Sequence, residues 1–225
     1  GSLCPYSDRG KRGKEDPDVI GLISRIIRMI SDPFVRLSGL AGFAKSLIRS
    51  QDTSRAKKML EEIAAGLKDL PSGEQKVLLL ADLAILYCQI DTTTASECLL
   101  DGIQLLETVE PDRQAVTRRQ VVFAIARLNA VKPESRWVGI ALQVAQNIAD
   151  PLEYINALIA VYSMSRGDKP RENELLLSMT DAVEKISSPY EKVSTLLEII
   201  PLAIQSSEGD TPKRLLMKAE ALTKK

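Results

Sequence analysis

A chain of 225 residues, 44% of them apolar, is long enough to bury a sizeable core, and its 30 Lys and Arg balance 30 Asp and Glu, so no global field draws it to nucleic acid or an anionic membrane. It contains no histidine, which removes the Ser-His and Cys-His nucleophile pairs, the usual zinc ligands and the commonest general base together. Cys4, Cys88 and Cys98 make an odd set without a C-x-x-C pair, so they are expected as free thiols in a reducing, cytoplasmic setting, with Cys88 and Cys98 buried and inert.

In chain order, residues 1–17 begin with Gly-Ser, which reads as a cloning remnant, and continue through "YSDRGKRGKEDPD", a polar stretch with no signal-peptide core; they are expected to form a loose tail. Residues 18–225 are expected to form a single helical-repeat domain. Its first helix, "DVIGLISRIIRMI", is apolar all round. Two explanations compete for that: a hairpin partner lying upstream, or a homodimer that buries the outer face of helix 18–30.

Proline then punctuates the chain at 33, 71, 111, 151 and 189, in steps of 38, 40, 40 and 38, each followed by apolar residues three and four apart. The first turn of a helix has amides without partners, so a residue lacking its N–H fits there without loss. Asp32, Asp150 and Ser188 precede three of these prolines as caps, while Ser72 with Gln75 has capping-box spacing at the second. Thr53, Thr94, Pro133, Pro170 and Pro212 open the alternate helices, with Thr94 and Glu97 again spaced as a capping box and Thr211 as the last cap. Five antiparallel hairpins result, at about 33–70, 71–109, 111–148, 151–187 and 189–224. Trp137 is expected in the core, and Pro201 should kink its helix or end it early. "PKRLLMKAEALTKK" reads as a capping helix with a wet outer face. The longest apolar run, Val77 to Tyr87, is broken by Asp82 and falls short of the roughly 20 residues a membrane span needs.

"LAGFA" with "RAKKMLEEIA", "LADLA" with "ASECLLDGI", and "LIAVY" with "RGDKPRENELLL" resemble degenerate tetratricopeptide-like repeats, over residues 30–224. The period is nearer 39 than 34, the consensus tryptophan of the first helix is missing, and the internal-turn glycine appears only as Gly167 and Gly209, so a HEAT-like subdivision stays open. The resemblance implies an all-α fold, a right-handed α-α superhelix (solenoid) of about five antiparallel hairpins, and protein binding through the surface lined by the first helix of each pair.

Aligning the first helices on residues 44, 84, 126, 162 and 200 places Arg36, Lys76, Arg118, Tyr154 and Lys192 at one position, eight residues earlier in each. Four of the five are basic. Stacked repeats would line them up as a ladder for an acidic peptide or a carboxylate, unless each cation simply pairs with a neighbouring carboxylate. The expected function is therefore a non-catalytic scaffold for a protein or peptide partner, without cofactor or metal. RNA binding along the basic stripe, strongest at Arg118, Arg119 and Arg127, is the alternative, and the scarcity of aromatic residues counts against it.

Overall fold

The computed structural model describes residues 17–206 and, beyond them, 216, 217 and 220. The expected tail lies outside the described residues except for Pro17, and so do Cys4 and most of the expected capping helix 212–224. Among the described residues every regular element is helical, with no strand. No described helix is long and apolar enough to cross a membrane.

The chain divides into two compact units between Leu70 and Pro71. The first holds α1 (Pro17–Arg28), α2 (Pro33–Arg49) and α3 (Thr53–Gly66), the last running into a 3-10 turn at Leu67–Asp69. α2 packs on α3 and, more lightly, on α1. Gly39 permits the second contact: a Cβ there would stand 3.1 Å from Ile27 Cγ2. The bidentate pair of Arg28 with Glu62, at 2.8 and 2.6 Å, ties α1 to α3.

The second unit holds α4 (Glu74–Tyr87), α5 (Thr92–Gln104), a 3-10 turn at Leu106–Thr108, α6 (Pro111–Val131), α7 (Ser135–Gln146), α8 (Pro151–Met164), α9 (Lys169–Glu184) and α10 (Pro189–Ser206). α4 packs with α5, α6 with α7, and α8 with α9, each as a hairpin; the first helices α4, α6 and α8 also pack on one another in that order. Second helices fill the row behind: α5 touches both α4 and α6, and α7 both α6 and α8. The core between the rows is aliphatic, with Leu83, Ala84, Val122, Ile125, Leu128, Ala157 and Leu158 at most 1% exposed, and Trp137 fully buried at the start of α7.

Helix starts follow the proline and aspartate punctuation closely. Asp32, Asp150 and Asp168 accept the amides of Val35, Glu153 and Arg171, and Ser188 accepts that of Glu191. Such a cap is worth about 1 kcal/mol against alanine. Two expected capping boxes do not form. α5 starts at Thr92, because the Asp91 carboxylate accepts the amides of Thr93 and Thr94 and also the Thr94 hydroxyl, so Thr94 lies inside the helix. α4 starts at Glu74, after Gly73 at φ 142°, a conformation L side chains resist; the chain is still turning at Ser72. α7 likewise begins two residues after Pro133, once the Asn129 side chain has accepted the Glu134 amide. Pro201 does not end α10, which continues to Ser206.

Candidate interaction face

Five first helices carry the residues aligned in the sequence, and the fold gives several of those residues internal partners. Arg36, in the first unit, donates from Nη1 to the Ile30 carbonyl at 3.0 Å, in the turn after α1. Arg118 is 5% exposed and donates from Nη2 to Glu107 at 2.7 Å, in the turn after α5. Lys192 donates to the carbonyl of Glu184, the last residue of α9, at 3.1 Å. All three cations reach back to the segment that closes the preceding helix, Arg36 and Lys192 to backbone carbonyls and Arg118 to a side-chain carboxylate. For Lys192 the acceptor is the end of α9, where carbonyls lack intrahelical donors and the dipole favours positive charge. Lys76 on α4 is half-buried, and so is Tyr154 on α8, whose hydroxyl pKa is raised by burial.

The solvent side of the same helices carries a different set. On α4, Leu78 and Ile85 are half-buried, as Lys76 is; on α6, Val116 is 39% exposed and Phe123 half-buried; on α8, Leu152 and Ile159 are half-buried, as Tyr154 is. Each pair is spaced by seven residues, two helical turns, so both members stand on one side of their helix. At about 100° per residue, Lys76, Arg118 and Tyr154 lie about 150–170° around their helices from these pairs. α10 repeats the pattern with Tyr190, Leu197 and Ile204, at 83%, 57% and 60% exposure. The Tyr162 hydroxyl on α8, donating to the Leu202 carbonyl at 3.0 Å, joins α8 to α10.

α4, α6 and α8 pack side by side, and each carries one such pair with a polar residue between its members, Asp82, Gln120 and Asn156, so the solvent side of the row is a band of mixed apolar and polar positions. A polar cluster sits in the band where α6 meets α8. Arg119 Nε lies 2.9 Å from Glu153 Oε2, close as charges but not aligned as a hydrogen bond, and the same guanidinium lies over the Phe123 ring at 5.5 Å. Both charged side chains are about four-fifths buried, at 23% and 21% exposure, so the pair is screened less than one in open solvent.

Sequence reasoning places Arg119 only in a basic stretch and passes over the apolar pairs. Their signal is present, as apolar residues seven apart that recur from 78 to 116 to 152 to 190, but a core-facing residue satisfies the same spacing.

A polar cleft of about 300 Å³ opens at the start of α4, lined by Ser72, Gly73, Glu74, Thr108, Glu110 and Arg113. The lining sets the hydroxyls of Ser72 and Thr108 beside the carboxylates of Glu74 and Glu110 and the Arg113 guanidinium, and among the described residues no three Cys, Asp or Glu side chains gather as metal ligands. Cys88 and Cys98 are buried free thiols, their pKa pushed up to about 11 chiefly by desolvation. No protein-family model, curated protein or solved structure matches the chain.

Proposed function

We propose that the chain is a non-catalytic interaction module of tetratricopeptide-like construction, which docks a protein or peptide partner on the band across α4, α6 and α8. The observation that carries this reading is the recurrence of partly buried apolar pairs, seven residues apart, on three helices packed next to one another. A monomer gains little from leaving such side chains partly wet, and each adds about 25 cal/mol per Å² of apolar surface when a partner covers it. Side-by-side helices space these residues at about 8–10 Å, which suits an extended or helical segment lying across them. The Arg119–Glu153 pair, with Asp82, Gln120 and Asn156 between the apolar residues, supplies orientation to the contact. Arg36, Arg118 and Lys192 act in this reading as positioning residues that fix each first helix against the turn before it.

The test is affinity capture with the chain and with a Phe123→Glu/Ile159→Glu double variant as baits. Both positions are partly exposed, so circular dichroism and melting temperature should be close to those of the parent. Loss of the captured partner from the variant is the expected result, and recovery of the same proteins by both baits overturns the reading. Tight binding of RNA with a steep salt slope would instead favour nucleic-acid recognition.

A further inference from the structure

α1 and the turn that closes it present Val19, Leu22, Ile26 and Met29 to solvent at 50%, 54%, 56% and 83% exposure. Their 3-4-3 spacing is the seam register of a helix that packs against another helix. Ile20, buried, and Ile27 lie on the α2 side, and Arg28 points to Glu62 of α3, so two flanks of α1 are already used. The exposed seam is the third flank.

The second unit shows what such a flank accepts. There α5 and α7 each follow one first helix and precede another, and each packs between the two. α1 precedes the first helix α2 in the same way and packs on it. Its exposed seam therefore corresponds to the side on which a preceding first helix would lie. α2, packed on α1, also has an open side: Val35 is 50% exposed, and Gly42, two turns on, is exposed with nothing within 4 Å of a Cβ built on it.

Charge decides the chemistry of the occupant. α1 and α2, residues 17–49, contain five cations, Arg25, Arg28, Arg36, Lys45 and Arg49, against the carboxylates of Asp18 and Asp32, in a chain whose total charge is zero, and of the five Arg28 is paired with Glu62 and Arg36 with the Ile30 carbonyl. Asp32 is occupied in capping α2. Arg25, Lys45 and Arg49 are exposed.

We propose that the α1–α2 hairpin docks an acidic amphipathic helix of a partner protein, apolar residues against the α1 seam and carboxylates toward Arg25 and Arg49, in the place of a preceding first helix. The proposal rests on the reading of the chain as an interaction module but uses a face separate from the band across α4, α6 and α8.

The probes are two labelled 18-residue helical peptides with leucines at seam spacing, one flanked by glutamates and one by lysines, together with phosphatidylserine vesicles, each titrated against the full chain by anisotropy or sedimentation. The acidic peptide should bind at least tenfold tighter than the basic one and slow amide exchange in residues 19–30. Leu22→Glu/Ile26→Glu should weaken it at least tenfold, and Arg25→Glu should erase the preference for the acidic peptide. Equal binding of both peptides, or of neither, overturns the proposal. Vesicle binding without the acidic peptide overturns it in favour of a lipid surface, and a concentration-dependent dimer abolished by Leu22→Glu/Ile26→Glu overturns it in favour of a second copy. In none of these outcomes should capture through Phe123 and Ile159 change, so loss of that capture would mark failure of the broader reading instead.

Discussion

Arg118 places a guanidinium inside the fold to hold a carboxylate that stays outside it: the arginine side chain is 6% exposed, the Glu107 side chain 78%, and their atoms are 2.7 Å apart. Arg118 Nε is buried with no hydrogen-bond partner, so the guanidinium is only partly compensated. Removing the carboxylate leaves a buried charge that water reaches poorly, whereas replacing the arginine by an apolar side chain of similar length removes the charge and keeps the packing. In urea unfolding at pH 7, Arg118→Met should therefore be the mildest change and Glu107→Ala should cost about 1 kcal/mol, discounted because the glutamate is solvated. Arg118→Ala, which also leaves a void, should cost about 2–4 kcal/mol. If Met proves as damaging as Ala, the buried stem contributes little.

The Arg28–Glu62 bridge gives a pH signature. The hydrogen bond from Arg28 holds the Glu62 carboxyl below its ordinary value of 4.5, against an opposing effect of burial. A carboxylate with a lowered folded-state pKa stabilises the fold above its unfolded value and loses that contribution as pH falls through the folded value. The parent should therefore exceed Glu62→Gln in unfolding free energy at pH 7, with the gap closing as pH falls from the ordinary carboxylate value through the lower folded-state one. Both side chains are more than a third exposed, at 48% and 39%, so the gap should stay under about 1 kcal/mol and shrink further in 0.5 M salt, as about a 3–5 Å screening length requires. A gap that persists at low pH would assign the effect to packing.

How much of the fold is legible in the sequence depends on which physical signal each feature leaves. Hairpin order and most boundaries can be read because Pro33, Pro111, Pro151 and Pro189 mark first turns by a local rule that tertiary packing does not override. The Ser72–Gln75 and Thr94–Glu97 spacings mislead because a stronger local device stands nearby, the left-handed Gly73 in one case and the shorter reach of Asp91 in the other. The two-unit division at Leu70 leaves no mark in the repeat spacing, which continues through Pro71. The cation alignment locates a recurrent position but not the side of the helix it occupies. Leu78 and Ile85 are separable from core residues only once α6 is seen beside α4.

Tyr162 gives a local test of how α10 is held. It is 3% exposed and spends its hydroxyl on the Leu202 carbonyl, one residue past Pro201, which has no amide to donate back to Leu197. Tyr162→Phe keeps the ring and removes that bond. It should cost about 1 kcal/mol and speed amide exchange selectively in residues 199–206. The same change at Tyr190, 83% exposed, should move stability by less than about 0.5 kcal/mol. Uniform acceleration across α8 and α10 would show that the hydroxyl has no local role.

The two buried thiols offer a reporter for opening of the α4–α5 hairpin. Cys88 caps the end of α4 and Cys98 lies within α5, 5% and 8% exposed, and burial lifts both pKa values to about 11. The thiolate is the reactive species, so at pH 7.5 only about one thiol in three thousand is ionised in the folded state, against about one in ten once exposed at an ordinary value near 8.5. Alkylation at these two positions, followed by peptide mass spectrometry, should therefore be slow in buffer and rise in step with urea unfolding. In the folded state the rate should climb roughly tenfold per pH unit above neutrality by either route, because ionisation of an opened thiol also draws the hairpin open. Rapid labelling of either cysteine in buffer at neutral pH would mean that the α4–α5 hairpin opens readily, and the apolar band on α4 would then lack the rigid support that docking on it requires.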